Sequence, residues 1–161
     1  MKPRIRLALV GGRADLKRAP VSDFVFLLSE FQDLLFEVGR SLTGTDVPEE
    51  VVERSCRIEI VALSYGSVVP ELELASFTNE DPNPIGLRAM EEVSRLFSVL
   101  RDSPVPTVTP EVVARIDRVG DLLDKGYSRI DVIYSHNGHV VKGILDQALR
   151  AKLLRNRQEI K

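Results

Sequence analysis

The 161-residue chain has one cysteine, two histidines and no tryptophan. The single cysteine, Cys56, excludes an intramolecular disulfide and with it the disulfide-rich class of small secreted scaffolds. One cysteine and two histidines are also too few for a structural zinc site built within one chain. We therefore expect no bound metal and no other cofactor.

Long apolar runs are also missing from the sequence. No segment approaches 18 uncharged apolar residues, so we expect no membrane span. Arg4 and Arg6 interrupt the apolar N-terminal run, and no small-residue cleavage site follows, which predicts a strand there rather than a signal peptide. The formal net charge is −2, which gives no electrostatic reason to expect a nucleic acid or an anionic membrane as a partner. We expect a cytoplasmic protein.

Apolar periodicity is what the sequence does contain. Residues 4–10 alternate with period two, which predicts a strand with one buried face, ended by Gly11-Gly12. A long amphipathic helix follows, for which Ser22 is the expected N-cap and Gly44 the expected C-cap. Its apolar stripe consists of Phe24, Leu27, Leu28, Phe31, Leu34, Leu35, Val38 and Leu42.

Two alternating segments, 57–63 and 68–75, predict a hairpin. A three-residue loop, Ser64-Tyr65-Gly66, gathers the apolar residues on one face and gives Gly66 the position that favours a positive φ. Pro70 has no N–H to donate, so we expect the second strand to be an edge strand or to be bulged there. The expected core-facing residues are Ile58, Ile60, Ala62, Val68, Pro70, Leu72 and Leu74.

The later half of the chain predicts two helices and a second hairpin. Asn83-Pro84 and Thr109-Pro110 each combine an N-cap with proline at the first helical position. The short link between the two helices, 103–108, favours an antiparallel pair. Asn137-Gly138 between alternating apolar residues is a strong hairpin signal. The pattern of residues 144–157 fits either a final helix or a continued strand.

Together these elements predict an α+β fold in two layers. A mostly antiparallel sheet, formed by the two hairpins and the N-terminal strand, is packed by the long helix and the helical pair. We expect residues 1–143 to form a single domain and residues 144–161 to form a basic C-terminal helix or tail.

The histidines and acidic residues are the candidates for catalysis or metal binding. A type I′ turn at Asn137-Gly138 places His136 and His139 opposite each other, where they could share a metal or respond to pH. A metal would need a third ligand, and the nearest acids in the sequence are Asp131 and Asp146. We favour the simpler interpretation that the histidines are exposed turn residues.

A pair of glutamates offers a second candidate site. In the expected register Glu59 lies opposite Glu71, and like charges directly across a ladder repel. They could bind a divalent cation or act as an acid/base pair with separated pKa values. We favour neutralisation by Arg4 and Arg6, which lie on the matching face of the first strand.

For Gly11-Gly12 and Cys56 we favour structural roles. The glycines follow a strand and precede Arg13, Lys17 and Arg18, but neither dinucleotide nor P-loop spacing is present, so a plain turn is expected. Cys56 could be a nucleophile only if His136 or His139 reached it as a base.

The basic C-terminal segment could contact an anion or an acidic partner surface. It contains no aromatic residue on which single-stranded bases could stack, so we do not expect nucleic-acid binding. The candidate contact residues are Arg150, Lys152, Arg155 and Arg157.

The balance of these features favours a non-enzymatic module that forms a homo-oligomer, a dimer first of all, or joins another protein. Val61, Leu63 and Val69 are expected on the solvent face of the first hairpin, and such residues often mark an interaction surface. A free strand edge there could extend the sheet across a two-fold axis. One alternative is a small enzyme or a ligand- or metal-binding protein that uses the His136/His139 hairpin with Asp131, Glu59 or Glu71. Another is nucleic-acid binding through the basic tail.

Overall fold

The chain forms a five-stranded antiparallel sheet with helices packed on one face, as seen in a computed structural model that describes residues 2–14, 19–63, 69–78, 80–99 and 108–159. The spatial order of the strands is β2-β3-β1-β4-β5. This is the predicted two-layer α+β arrangement. The strands are β1 (Arg4–Val10), β2 (Ile58–Leu63), β3 (Pro70–Leu74), β4 (Arg129–His136) and β5 (His139–Leu145). The helices are α1 (Val21–Thr43), α2 (Glu49–Ser55), α3 (Pro84–Val99), α4 (Pro110–Val119) and α5 (Gln147–Glu159).

The core lies between the sheet and the helices. On β1, Ile5 and Leu7 are buried and Arg4 and Arg6 are exposed, as the period-two pattern predicts. Helix α1 lies between α3 and α4, which have almost no contact with each other, so the predicted direct antiparallel pairing of α3 with α4 is wrong. The buried side chains that α1 contributes are Leu27, Phe31, Leu34, Leu35 and Val38, and each such burial stabilises the fold by roughly 1.5–3 kcal/mol.

Two of the predicted helix starts are confirmed. The side chain of Asn83 accepts a hydrogen bond from the N–H of Gly86 at 3.1 Å, and Thr109 accepts one from Val112 at 3.2 Å. In each case the cap precedes a proline, whose missing N–H costs nothing at the first helical position.

The start of α1 and the whole of α2 differ from the prediction. Helix α1 begins at Val21 after Pro20 and has no side-chain cap, so the assignment of Ser22 as N-cap is wrong. The main-chain carbonyl of Pro20 accepts from the N–H groups of Asp23 at 3.0 Å and Phe24 at 3.3 Å, which begins the helix without a capping side chain. Helix α2 has only seven residues, too few for a periodic pattern to stand out.

The register of the first hairpin is shifted by two residues from the prediction. Glu59 lies opposite Glu73, not Glu71, and Ile58 lies opposite Leu74. A shift of two preserves the face on which each side chain lies, because the side-chain period of a strand is two. The predicted loop with Gly66 lies outside the described residues.

The expectation that the second strand of the hairpin, β3, is an edge strand because of Pro70 is wrong. β3 is an inner strand, and β2 is the edge strand. The pairing of β3 with β1 ends at Glu71, next to Pro70, which has no N–H to continue the ladder. A bulge lies on β2, between Ile60 and Ala62. Beyond it Leu63 lies opposite Pro70 and shares its core-side face, whereas the sequence predicts the solvent face.

The C-terminal segment divides into the end of β5 and helix α5. Leu149 and Leu153 of α5 are buried in the core. The guanidinium group of Arg150 donates hydrogen bonds to Asp117 at 2.7 Å, to Asp121 at 2.6 Å and to Asp124 at 2.9 Å. These contacts dock α5 onto α4 and onto the 3-10 helix that follows it, Gly120–Lys125.

Replacing Arg150 by methionine should lower the free energy of unfolding by about 1–3 kcal/mol, since charge-assisted hydrogen bonds are lost from a side chain that is only 12% exposed. Urea unfolding monitored by circular dichroism measures this. The matched control is Arg155→Met on the same helix, where the side chain is exposed and we expect a change below about 0.5 kcal/mol. Equal effects at both positions would contradict the docking role of Arg150.

The effect of Arg150 should also depend on pH. Hydrogen bonds from Arg150 and then Gln147 lower the pKa of Asp124. A lowered carboxyl pKa contributes stability above the unfolded-state value, about 4, and this contribution is lost as the pH falls through the folded-state value. The stability difference between the wild-type protein and Arg150→Met should therefore shrink below about pH 4. A difference that stays constant in unfolding curves from neutral pH to about pH 2 would contradict this.

Candidate interaction surface

Exposed apolar side chains are concentrated on α1 and β2. Six large hydrophobic residues are exposed in the described part of the chain, and five of them belong to these two elements. The sixth, Val140, lies on β5 at the opposite edge of the sheet. We call the five the apolar edge surface; they are Val21 (78% exposed), Val25 (56%), Ile60 (44%), Val61 (41%) and Leu63 (54%). Of the three predicted contact residues, Val61 and Leu63 are among them and Val69 is half-buried.

A groove of about 370 Å³ separates α1 from β2. Glu59 is the only ionisable residue among those that line it, so the groove suits an apolar occupant. The other lining residues are Val25, Leu28, Ser29 and Gln32 of α1, Ile58 and Ile60 of β2, and Leu72 of β3.

Helix α1 and strand β2 border this groove together. Gln32 of α1 contacts the start of β2 at Ile58, and Val25 and Ile60 both line the groove. Val21 precedes Val25 by about one helical turn on α1, and Leu63 follows Ile60 on β2. Both residues therefore belong to the two elements that border the groove.

β2 turns some of its main-chain groups away from the sheet. The N–H of Ala75 donates to the carbonyl of Arg57 at 2.8 Å, so Arg57 and Glu59 direct their main-chain groups toward β3. In an antiparallel ladder the alternate residues, Ile58 and Ile60, then direct theirs toward the free edge. A further strand could pair with this edge.

The side-chain amide of Gln32 occupies part of that edge. Its Nε2 donates to the carbonyl of Cys56 at 2.8 Å, and its Oε1 accepts from the N–H of Ile58 at 2.9 Å. The sequence did not single out Gln32, because a polar residue on an amphipathic helix is expected and the contact joins residues more than 20 positions apart.

The histidine hairpin has the predicted geometry. Asn137 and Gly138 both have positive φ values, 50° and 83°, as a type I′ turn requires, and His136 lies opposite His139. The ring of His136 packs edge-on against Phe77, with ring centroids 6.4 Å apart. Within the described residues no group of three or more His, Cys, Asp or Glu side chains could hold a metal ion.

The acids considered as partners of the histidines have other contacts. Asp131 is paired with Arg129 at 2.9 Å, and Asp146 caps α5 by accepting from the N–H of Leu149 at 2.9 Å. Glu59 lies on the edge strand β2, three strands away from β4. The structure does not bring these acids together with the histidines.

A different carboxylate lies near His136. Glu73, Arg4 and His136 line a shallow hollow of about 410 Å³. Arg4 donates to Glu73 at 2.7 Å and to Glu71 at 3.1 Å. The expected neutralisation is therefore found for Glu71 with Arg4, whereas within the described residues Arg6 pairs with neither Glu59 nor Glu71. Sequence reasoning could not find this grouping, because it depends on β1 lying between β3 and β4.

The two remaining candidates of the sequence have packing explanations. Cys56 is fully buried, and desolvation raises the pKa of its thiol to about 12. A side-chain carbon added at Gly11 would lie 2.1 Å from the hydroxyl of Ser128, so close packing requires glycine there. Lys17 and Arg18 lie outside the described residues.

The basic C-terminal residues differ in how available they are to contact an anion or a partner protein. Arg150 is engaged by three aspartates, which leaves it little capacity for an external anion. Lys152 is half-buried and Arg155 is exposed. Arg157 belongs to α5, but its side chain lies outside the described part.

We expect Cys56 to resist alkylation in the folded protein. A buried thiol with a pKa near 12 has almost no thiolate at neutral pH. Iodoacetamide at about pH 8, followed by mass spectrometry, should add one carbamidomethyl group in urea and none without it. Rapid modification of the native protein would show that the thiol is accessible.

Comparison with protein-family models, with curated proteins and with solved structures finds no match. None of the helices in the described ranges is long and apolar enough to cross a membrane. The arguments for function therefore come from the geometry of the chain.

Proposed function

We propose that this protein is an interaction module that forms a homodimer by pairing the β2 strands of two copies about a two-fold axis. The observation that carries the proposal is the coincidence of two features at one place. The apolar edge surface, with five of the six exposed large hydrophobic residues, borders the strand edge that turns main-chain groups outward.

Solvent exposure of this surface has a cost that a partner would remove. Each large apolar side chain that becomes fully buried contributes roughly 1.5–3 kcal/mol. Val21, Val25 and Leu63 are all more than half exposed, so they would gain most from a partner. An added strand would place alternate side chains over the groove between α1 and β2, while its main chain paired with Ile60.

A second copy fits this surface better than a charged partner does. The groove lining has one ionisable residue, Glu59, and the chain carries a net charge of only −2, so repulsion between copies is weak. A two-fold operation brings the same strand edge and the same α1 flank to both sides. The resulting interface is closed, because it leaves neither β2 edge free for further association.

The other edge of the sheet is less suited to pairing. Strand β5 exposes Val140, but Lys142 and His139 are exposed on the same strand. Charged side chains on an edge strand, lysine above all, oppose edge-to-edge association. Val140 is therefore a natural control position.

Leu63→Glu should dissociate the dimer, because the interface would have to bury a carboxylate without a partner. We expect the dissociation constant to rise by at least about a hundredfold. Sedimentation equilibrium and native mass spectrometry over a range of concentrations measure this change.

Val140→Glu is the matched control, since it introduces the same charge at a similarly exposed position on the opposite edge. It should leave the dissociation constant within about twofold of the wild-type value. A wild-type protein that stays monomeric at high concentration would refute the proposal, and so would a dimer that Leu63→Glu leaves intact.

The alternatives have less support. A small enzyme or ligand-binding protein could use the hollow beside His136 and Glu73, but Arg4 already satisfies Glu73 there. Nucleic-acid binding through the C-terminal helix would have to depend on basic residues other than Arg150, which is occupied by aspartates.

A further inference from the structure

We infer that Gln32 sets the register in which a second strand pairs with β2. This inference rests on the proposed function, since it concerns which part of the β2 edge the partner uses. It assigns to a side chain of α1 the role of a specificity-determining residue at a strand edge.

The amide of Gln32 bonds to β2 as a neighbouring strand would. In a parallel ladder, one residue of the added strand lies opposite residue j of its neighbour. It donates its N–H to the carbonyl of residue j−1, and its own carbonyl accepts from the N–H of residue j+1. Gln32 makes the same two bonds on either side of Arg57, to Cys56 at 2.8 Å and from Ile58 at 2.9 Å. The start of the β2 edge is thereby closed to an added strand.

The open part of the edge begins at Ile60. The bulge after Ile60 shifts the alternation by one residue, so the next residue to turn its main-chain groups outward is Leu63. A two-fold partner satisfies both positions when Ile60 of each copy pairs with Leu63 of the other. The symmetry axis then passes between Val61 and Ala62.

Loss of the Gln32 amide would make the N–H of Ile58 available for pairing. Registers that include Ile58 would then compete with the original one. In those registers the symmetry axis moves toward Glu59, because a two-fold axis lies midway between the paired residues. A change of register is thus the signature of Gln32 acting at the edge, whereas a purely structural role would not move the axis.

Disulfide trapping can locate the axis, because two cysteines bridge only when their Cα atoms lie within about 7 Å. Glu59→Cys and Ala62→Cys are each made in the wild-type background and in Gln32→Leu. Both positions are exposed, and the native Cys56 is buried and does not compete. In the wild-type background we expect a covalent dimer with cysteine at position 62 and little with cysteine at position 59.

The measured quantity is the yield of covalent dimer through position 59 divided by the yield through position 62. In the Gln32→Leu background this ratio should rise at least about fivefold, because registers that include Ile58 can then compete with the original register. Gln32→Glu is the control: its carboxylate still accepts from the N–H of Ile58, so the wild-type ratio should persist. If Gln32→Leu does not fold, Gln32→Met takes its place with the same expected rise.

The outcomes separate this inference from the proposed function. A dimer whose trapping ratio is the same in all backgrounds would overturn the role of Gln32 and leave the dimer standing. A monomeric wild-type protein that associates through position 59 in Gln32→Leu would support the role of Gln32 and refute the homodimer. A monomer in every background would overturn both.

Discussion

The packing of α1 is the constraint on which the rest of the structure depends. Its inward face supplies Phe31, Leu34 and Leu35 to the core, and it lies between α3 and α4. Two polar contacts to distant parts of the chain fix the orientation of α1 about its own axis. Asp23 accepts from the hydroxyl of Tyr127 at 2.7 Å, and Glu30 pairs with Arg118 at 3.1 Å.

Because these contacts fix the orientation of α1, they also determine which of its residues face outward. Val21 and Val25 face outward, and Gln32 reaches the start of β2. The core contacts and the candidate interaction surface are therefore two faces of one helix. Buried carboxylates without a partner are costly, so the contacts of Asp23 and of Glu30 Oε1 add a directional restriction to the apolar packing of the helix.

Local patterns in the sequence predict the elements of this fold well, because each depends on neighbours within a few positions. The β1 alternation, the caps at Asn83 and Thr109 and the Asn137-Gly138 turn all belong to this class. The register of the first hairpin is different, since a shift of two residues leaves the buried face unchanged and the apolar pattern cannot detect it. The same pattern cannot show the bulge at Val61, which moves Leu63 to the core side of the strand.

The candidate site was only partly predictable for the same reason. Val61 and Leu63 stand out in the sequence as apolar residues with no place in the core. Their partners on α1 do not, because Val21 and Val25 are ordinary members of a helix until the position of β2 is known. Gln32 bonds to Cys56 and Ile58, which lie 24 and 26 positions later in the chain, and no local rule links residues so far apart.

The two edges of the sheet show how this chain treats unpaired main-chain groups. β5 carries the exposed Lys142 within the strand, which opposes pairing by another strand. β2 carries no lysine: its one charged residue is Glu59, and the side-chain amide of Gln32 covers its start. An edge that had only to be kept soluble would be served by a lysine within the strand, as on β5. An edge closed at Ile58 and left apolar from Ile60 onward instead restricts where a partner strand can pair, and that restriction is what a specific two-fold interface requires.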